Sequence, residues 1–174
     1  MPEVTTARMR LVSGTQELAE TELIEIARFS ELLGATVPAE WPPEMLRDAL
    51  PVFLSQCRAS GNFGPWTLGW YALLAENGEA VLCGSVGFKG MPGATGAVEI
   101  GYSVIPSYQE RGVASEMVRG LSEWALRQPG IREVRAEVAP ENQASIRVLI
   151  KAGFAPYSSG GEGGMRHFRK SQEP

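Results

Sequence analysis

The segment Gln109-Glu110-Arg111-Gly112-Val113-Ala114 is where residue types and spacing in this sequence best support chemistry. A strand-like run over residues 97–105 leads to it through a break at Pro106. A strongly amphipathic stretch follows, in which Val113, Met117, Leu121 and Trp124 form an apolar stripe. Strand, compact glycine-containing loop and helix start together suit a diphosphate. The first turn of a helix has amide N–H groups without intrahelical partners, and the helix dipole adds partial positive charge there. Gly112 lets a phosphate oxygen approach the backbone, and Ala114 keeps the next turn small. Each dipole contribution is only ~0.3–1 kcal/mol, so several N–H donors must act together. No Gly-Lys-Ser/Thr ending supports a P-loop, and no Gly-x-Gly-x-x-Gly supports a dinucleotide-binding unit. Taken by itself, the loop also fits an ordinary strand-to-helix turn.

The elements that must position this loop can be read from periodicity. Residues 8–12 form a first strand. Residues 15–33 form a helix with Ala19, Leu23, Ile26, Ala27 and Leu33 on one face and a stop at Gly34. A stiff connector over 35–43 leads into a second helix over 43–58, with Pro51 as a kink. Trp66 to Leu74 alternates as a strand, Asn77-Gly78 marks a tight hairpin, and a return strand covers 80–88. With the strand at 97–105 these make an antiparallel meander. The helix after the loop stops at Pro129-Gly130, and a strand around Val134 to Val138 ends at Pro140. A helix over 143–152 follows, with Ile146, Leu149 and Ile150 inward and Gly153 at its C-cap. Residues 154–169 read as two short strands around a Gly-rich loop, 158–164. The order β-α-α-β-β-β-α-β-α-β-β predicts an α/β (α+β) fold with a mixed, mostly antiparallel sheet, in a single domain over 1–174.

Val104-Ile105-Pro106-Ser107-Tyr108-Gln109-Glu110-Arg111-Gly112-Val113-Ala114 resembles V-x-P-x-x-Q/R-x-x-G-x-G/A, the central motif of the GNAT superfamily of N-acetyltransferases. A second family element, N-x-x-S/A with a helix closing in Gly-Phe, is similar to Asn142-Gln143-Ala144-Ser145 through Gly153-Phe154. Val98-Glu99-Ile100-Gly101-Tyr102 and Ser145-Ile146-Arg147-Val148-Leu149 resemble the RimJ/RimL-like branch, which acetylates protein N-terminal amines. The specific similarity covers about residues 80–155. The resemblance implies acetyl-CoA as co-substrate and no metal, with residues 97–155 as the acetyl-CoA-binding core and 1–60 as acceptor-side helices. It places the pantetheine arm along the backbone of Tyr102, Ser103 and Val104. The pyrophosphate falls on Gln109, Glu110, Arg111, Gly112, Val113, Ala114 and Ser115. Asn142 is implied to hydrogen-bond the cofactor, although Asn is also a favoured N-cap. Arg147 and Lys151 are placed within reach of the adenosine phosphate, and a solvated helix face explains them equally.

The implied reaction is acyl transfer from a thioester to an amine. A primary amine with a pKa near ~10 must lose a proton before attack, and a carboxylate can accept it. Glu99, just before the cofactor positions, is the candidate base or amine-orienting group; an ion pair with a cation is its simpler role. In histone-acetylating relatives the catalytic Glu matches Val98, one residue earlier, and a one-residue shift along a strand reverses the side-chain face. Many family members carry a Tyr at the position of Leu149 to protonate the departing thiolate. In the RimJ/RimL-like branch Ser145 is implied to serve, with Tyr102, Tyr108 and Tyr157 as further candidates. A thiol of pKa ~8.5 leaves without much help.

The rest of the sequence sets bounds. In 174 residues, 44% are apolar and 21% charged, which provides a core for one domain. Sixteen Lys+Arg against twenty Asp+Glu give a net charge of -4, which argues against a nucleic-acid or anionic-membrane surface. No apolar run spans a bilayer and the start resembles no signal peptide, so the cytoplasm is expected. Cys57 and Cys83 read as small buried residues, His167 as structural, and Trp66, Trp70 and Trp124 as core. Trp41 differs because it sits in a connector, where function concentrates. Glu40, Glu44 and Glu162, in segments flanking the acceptor side, suit a cationic amine. The expected acceptor is a protein N-terminus or a small-molecule amine, with an antibiotic-type amine acetyltransferase or a non-catalytic acetyl-CoA-binding module as alternatives. Either a monomer or a homodimer is compatible.

Overall fold

Alternating side chains and the Asn77-Gly78 turn build the centre of an eight-stranded sheet. β3 (Trp70–Glu76) and β4 (Glu79–Phe88) pair antiparallel around that turn. Asn77 lies at φ 51° and Gly78 at φ 85°, the two left-handed positions that a strand-matched two-residue hairpin requires. β5 (Ala97–Val104) pairs antiparallel with β4. β1 (Glu3–Thr5) and β2 (Met9–Ser13) extend the sheet beyond β3. On the other side lie β6 (Glu133–Val138), then β8 (Arg166–Ser171), then β7 (Ala155–Tyr157). Among the described strands only β5 and β6 run parallel to each other, and an isolated parallel bridge joins Thr36 to Val81. This computed structural model describes residues 1–157 and 164–172. Of the Gly-rich segment, 158–163 lie outside the described residues, Glu162 among them.

Helices cover both faces. α4 (Val113–Leu126) and α5 (Gln143–Lys151) pack on one, α1 (Gln16–Ile24), α2 (Ile26–Leu33) and α3 (Glu44–Ser60) on the other. Two successive residues of β3 show the division. Trp70 meets Trp124 of α4 with ring centroids 4.8 Å apart, and Tyr71 meets Phe29 of α2 at 5.2 Å. Trp66 and Phe88 join Trp124 in the same aromatic cluster. Leu121 of α4 is wholly buried against the sheet. Leu121→Ala should therefore lower unfolding free energy by about 3 kcal/mol in a urea titration. Among the described residues no helix is long and apolar enough to cross a membrane.

The predicted fold class is the observed one, with two additions to the element order. β1 is too short for a periodic signal, since only Val4 of its three residues is buried. The first helix is two helices, interrupted at Glu25 (φ -148°, ψ 76°). Periodicity misses a one-residue break when the second helix resumes almost in phase. The expected face is right at Ala19 and Leu33 and wrong at Leu23, Ile26 and Ala27. Leu18, Ala19, Glu22, Phe29 and Leu33 are buried, whereas Leu23 and Ile26 are exposed. The true stripe runs i, i+4, i+11, i+15 through a carboxylate, which hydrophobic pattern reading rejects. Ile150, expected inward on α5, is exposed as well. The strand expected from Trp66 begins at Trp70, because Thr67 Oγ1 accepts from Gly64 N–H and donates to Asn62 O, holding a local turn there. Pro51 sits inside α3 without ending it.

Candidate active site

Strand pairing creates an opening beside β5. Its first part, Ala97–Glu99, pairs with Glu133–Arg135 of β6, and Ile100–Val104 pair only with β4. Past Glu99 the two parallel strands part. The β6-facing edge of residues 100–104 therefore has no strand beside it among the described residues. Such an edge favours an extended, amide-bearing partner, because backbone polar groups need hydrogen bonds. Two side chains mark its limits: Gln109 Nε2 donates to Val104 O at 3.0 Å, and Tyr102 Oη donates to Ser145 O at 3.2 Å. Tyr102, Ser103 and Val104, named from the sequence, all lie along this edge.

At the end of β5 a short 3-10 turn, Pro106–Tyr108, leads into the loop. Glu110 (φ 59°) and Gly112 (φ 78°) are both left-handed, and Gly112 forms the N-cap of α4. The first amide bonded back at this end is Glu116 N–H, to Gly112 O at 3.2 Å. The amides of Gly112, Val113, Ala114 and Ser115 have no acceptor among the described residues. Consecutive unpaired amides around left-handed residues make a concavity for an anion. The loop's own side chains brace it instead. Arg111 pairs with Glu76 at 2.9 Å and lies 4.6 Å over the Tyr108 ring. Tyr108 Oη donates to Glu76 at 2.6 Å, and that bond, with burial, pushes the phenol up to about 12. Tyr108 is thereby unsuited to giving a proton. Val113 is buried, so only its backbone can serve. Sequence reasoning missed Arg8, whose Nη1 donates to Arg111 O at 3.1 Å and whose Nε pairs with Glu116 at 2.7 Å. No sequence signal ties the β1–β2 turn to this loop.

α5 supplies the third group. Asn142 Oδ1 accepts from Ser145 N–H at 3.0 Å, so Asn142 is the N-cap. Ser145 is half-buried, facing Tyr102 across the opening, and Arg147 lies exposed on the same helix. Leu149 is 1% exposed, so the position that is Tyr in many GNAT enzymes is packing here. Burial raises the Tyr102 phenol above its ordinary value, which keeps its proton on.

On the α1–α3 side of the sheet a cavity of about 210 Å³ opens between β5, α1 and α3. Register explains its floor. Gly87 of β4 pairs with Gly101 of β5, and a Cβ on Gly87 would stand 3.2 Å from the Cα of Gly69, just before β3, so three glycines lie side by side. The next row, Tyr71–Ser85–Ser103, is also in direct register. Val98 and Ile100 are buried beneath α4, so Glu99 points with Gly101 and Ser103 to the cavity face. The β4–β5 register is continuous, without a bulge. Glu99 forms an ion pair with Lys89, and Lys89 lines the cavity.

Glu22, on α1, carries no sequence signal of a site. It lines the same cavity at 6% exposure, accepting from Trp41 Nε1 at 2.9 Å and Tyr71 Oη at 2.6 Å. Burial pushes its carboxyl up to about 7, against the opposing hydrogen bonds of Tyr71 and Trp41. Trp41, singled out for its loop position, is buried and holds a buried carboxylate. Of the connector acids, Glu40 accepts from Ser107 Oγ and Glu44 is exposed at the start of α3. His167 is structural, beside Glu137 at 3.4 Å on β8, and burial pushes the Cys83 thiol up to about 11.

Residues 15–155 match the model of the acetyltransferase (GNAT) domain family. Over 125 residues, 70% of this chain and 71% of the other, the sequence is 30% identical to YjdG, an uncharacterised N-acetyltransferase of Bacillus subtilis (strain 168). The fold is similar to that of RimL, a ribosomal L7/L12 alpha-N-protein acetyltransferase solved in complex with coenzyme A. That likeness has a TM-score of 0.64 at 15% identity, over 98% of both chains. Mycobacterium smegmatis RimJ, solved with a CoA disulfide, gives a TM-score of 0.63 at 19% identity, over 98% of this chain and 87% of that one.

Proposed function

The chain belongs to the GNAT acetyltransferase family, and from that premise we propose that it transfers the acetyl group of acetyl-CoA to a primary amine by direct attack on the thioester. The single observation that carries this reading is the joining of two features at one strand end. The open edge of residues 100–104 leads straight into the unpaired amides of Gly112–Ser115. An amide-bearing arm ending in a diphosphate fits both, and a nucleotide alone would leave the strand edge unused. The fit rests on this chain's own orphan donors. Tyr102, Ser103 and Val104 would hold the arm. Glu110, Arg111, Gly112, Val113, Ala114 and Ser115 would cradle the diphosphate through their backbone, with Arg8 beside them. Gln109, whose N–H is bonded to Pro106 O and whose Nε2 is bonded to Val104 O, would shape the loop rather than donate to the phosphates. Asn142 and Arg147 sit at the far side, Arg147 carrying a charge suited to the adenosine phosphate.

Acetyl-CoA supplies the activated acyl group. In the net reaction a C–N bond forms and the C–S bond breaks. An ammonium acceptor gives up two protons, one ending on the CoA sulfur and one in solvent. Glu99, on the cavity face, pairs with Lys89 and so removes the repulsion that Lys89 would exert on an incoming cation. Ser145 stands on the opposite side of β5 as the candidate to give the departing sulfur its proton, while Tyr102, whose raised phenol donates to Ser145 O, holds that helix end in place. A thiol of pKa ~8.5 needs little such help, so Ser145→Ala and Tyr102→Phe should each lower kcat by no more than about tenfold. Glu99→Gln should raise KM for the amine with a smaller change in kcat, as loss of uniform binding does. Steady-state thiol release against a panel of primary amines and peptide N-termini checks both. Turnover of no amine, by a protein that binds acetyl-CoA in calorimetry, would leave a binding module.

A further inference from the structure

Resting on that acetyl-transfer reading, we propose that the acceptor is a primary amine carried on an apolar body, with the body against α3 and the nitrogen on Glu22. The cavity itself carries the argument. Its floor of Gly87 and Gly101 removes side chains next to the strand that would hold the thioester. Its outer wall is Leu46, Leu50, Phe53 and Leu54 of α3. On the α3 side such a wall gives a polyhydroxylated amine nothing to hydrogen-bond, whereas an apolar body gains roughly 25 cal/mol per Å² of surface that it covers; the hydroxyls of Ser85 and Ser103 lie on the sheet side. An arylalkyl or branched alkyl amine matches it.

Glu22 provides the one deep anionic end. Trp41 Nε1–H and Tyr71 Oη–H each occupy one lone pair of its two oxygens, fixing the carboxylate plane and leaving the others free to accept from an ammonium. Tyr71 shares a register row with Ser103, two strands away at about 4.8 Å per strand, so the residue that holds the carboxylate rises from the same row as the cofactor edge. Lys89 enters the cavity from β4 and would oppose a cation, but Glu99 pairs with it. Burial has also made Glu22 a better proton acceptor than an ordinary carboxylate. It takes one proton from the ammonium, leaving the nitrogen lone pair free for the acyl carbon, and later returns that proton to solvent.

The test is steady-state thiol release by the full chain at saturating acetyl-CoA. Acceptors are 2-phenylethylamine and isoamylamine, against kanamycin and a peptide with a free serine N-terminus. Apolar amines should exceed the polar acceptors in kcat/KM by about 100-fold, the scale of a mismatch between a polar group and an apolar pocket. Glu22→Gln should lower kcat/KM for the apolar amines by about 100-fold while the calorimetric Kd for acetyl-CoA holds. Gly101→Leu tests the cavity from the sheet side. A Cβ there meets nothing within 4 Å, so the strand tolerates it while the added side chain fills the floor. It should raise KM for apolar amines most. Preference for kanamycin or the peptide, with both variants acetylating normally, overturns the inference and leaves the acetyl-transfer reading intact. Turnover of no amine at all overturns both.

Discussion

Gly112→Glu is expected to weaken acetyl-CoA binding by at least about 100-fold in a calorimetric titration. Two effects combine. Charge-assisted bonds to unpaired amides contribute ~1.5–3 kcal/mol each, and a carboxylate in that concavity opposes the same phosphate oxygens. Gly112 also lies at φ 78°, where a side chain costs on the order of 1 kcal/mol, and its Cβ would stand 3.4 Å from Arg8 Nη2. The two contributions separate by comparison with Gly112→Asn, which carries no charge and adopts left-handed geometry more readily. Asn should keep the larger share of the affinity. Equal loss in both variants would mean that backbone conformation, and not charge at the anion site, controls binding.

The second large effect is on stability. Glu22 titrates at 4.5 when unfolded and near 7 when folded, so the folded state favours its protonated form. Its stabilising contribution is complete below about pH 4.5 and is lost as pH rises through about 7. Above that, a charged carboxylate stays buried on two neutral hydrogen bonds. Unfolding free energy from urea titrations should fall on the order of 3 kcal/mol between about pH 5 and pH 8 from this group. Glu22→Gln removes the dependence. Its amide oxygen can accept from Trp41 and its NH2 can donate to Tyr71, so the variant should be more stable than the parent at pH 8. A variant equally sensitive over that range would place the ionised form of Glu22 at no cost in the fold. The same variant therefore joins this prediction to the proposed role of Glu22 in holding the acceptor nitrogen.

What the sequence revealed follows from the range of the interactions involved. The strand-loop-helix junction proposed to hold a diphosphate was legible because its parts are contiguous: strand, Pro106, Gly112 and an amphipathic helix. Asn142 was legible as an N-cap for the same reason, and the Asn77-Gly78 hairpin needs only two residues. The acceptor cavity was not. Gly87 and Gly101 come from different strands and become neighbours only through register. Glu22 was hidden by its own chemistry, since a carboxylate on an apolar stripe looks like an error in the face until Trp41 and Tyr71, 19 and 49 residues away, are seen bonded to it. Glu99 stood between these cases. Its position on the strand was readable, but its face was settled by an unbroken β4–β5 register. The Lys89 pairing was invisible for want of that register.

The most direct measurement is to incubate the full chain with acetyl-CoA and a mixed panel of primary amines, weigh the products by mass spectrometry, and titrate free thiol. The predicted result is an amine heavier by one acetyl group, formed in equal amount with CoA thiol and absent with Gly112→Glu. Acetyl-CoA bound but no acetylated amine, with thiol released no faster than by spontaneous hydrolysis, would contradict it.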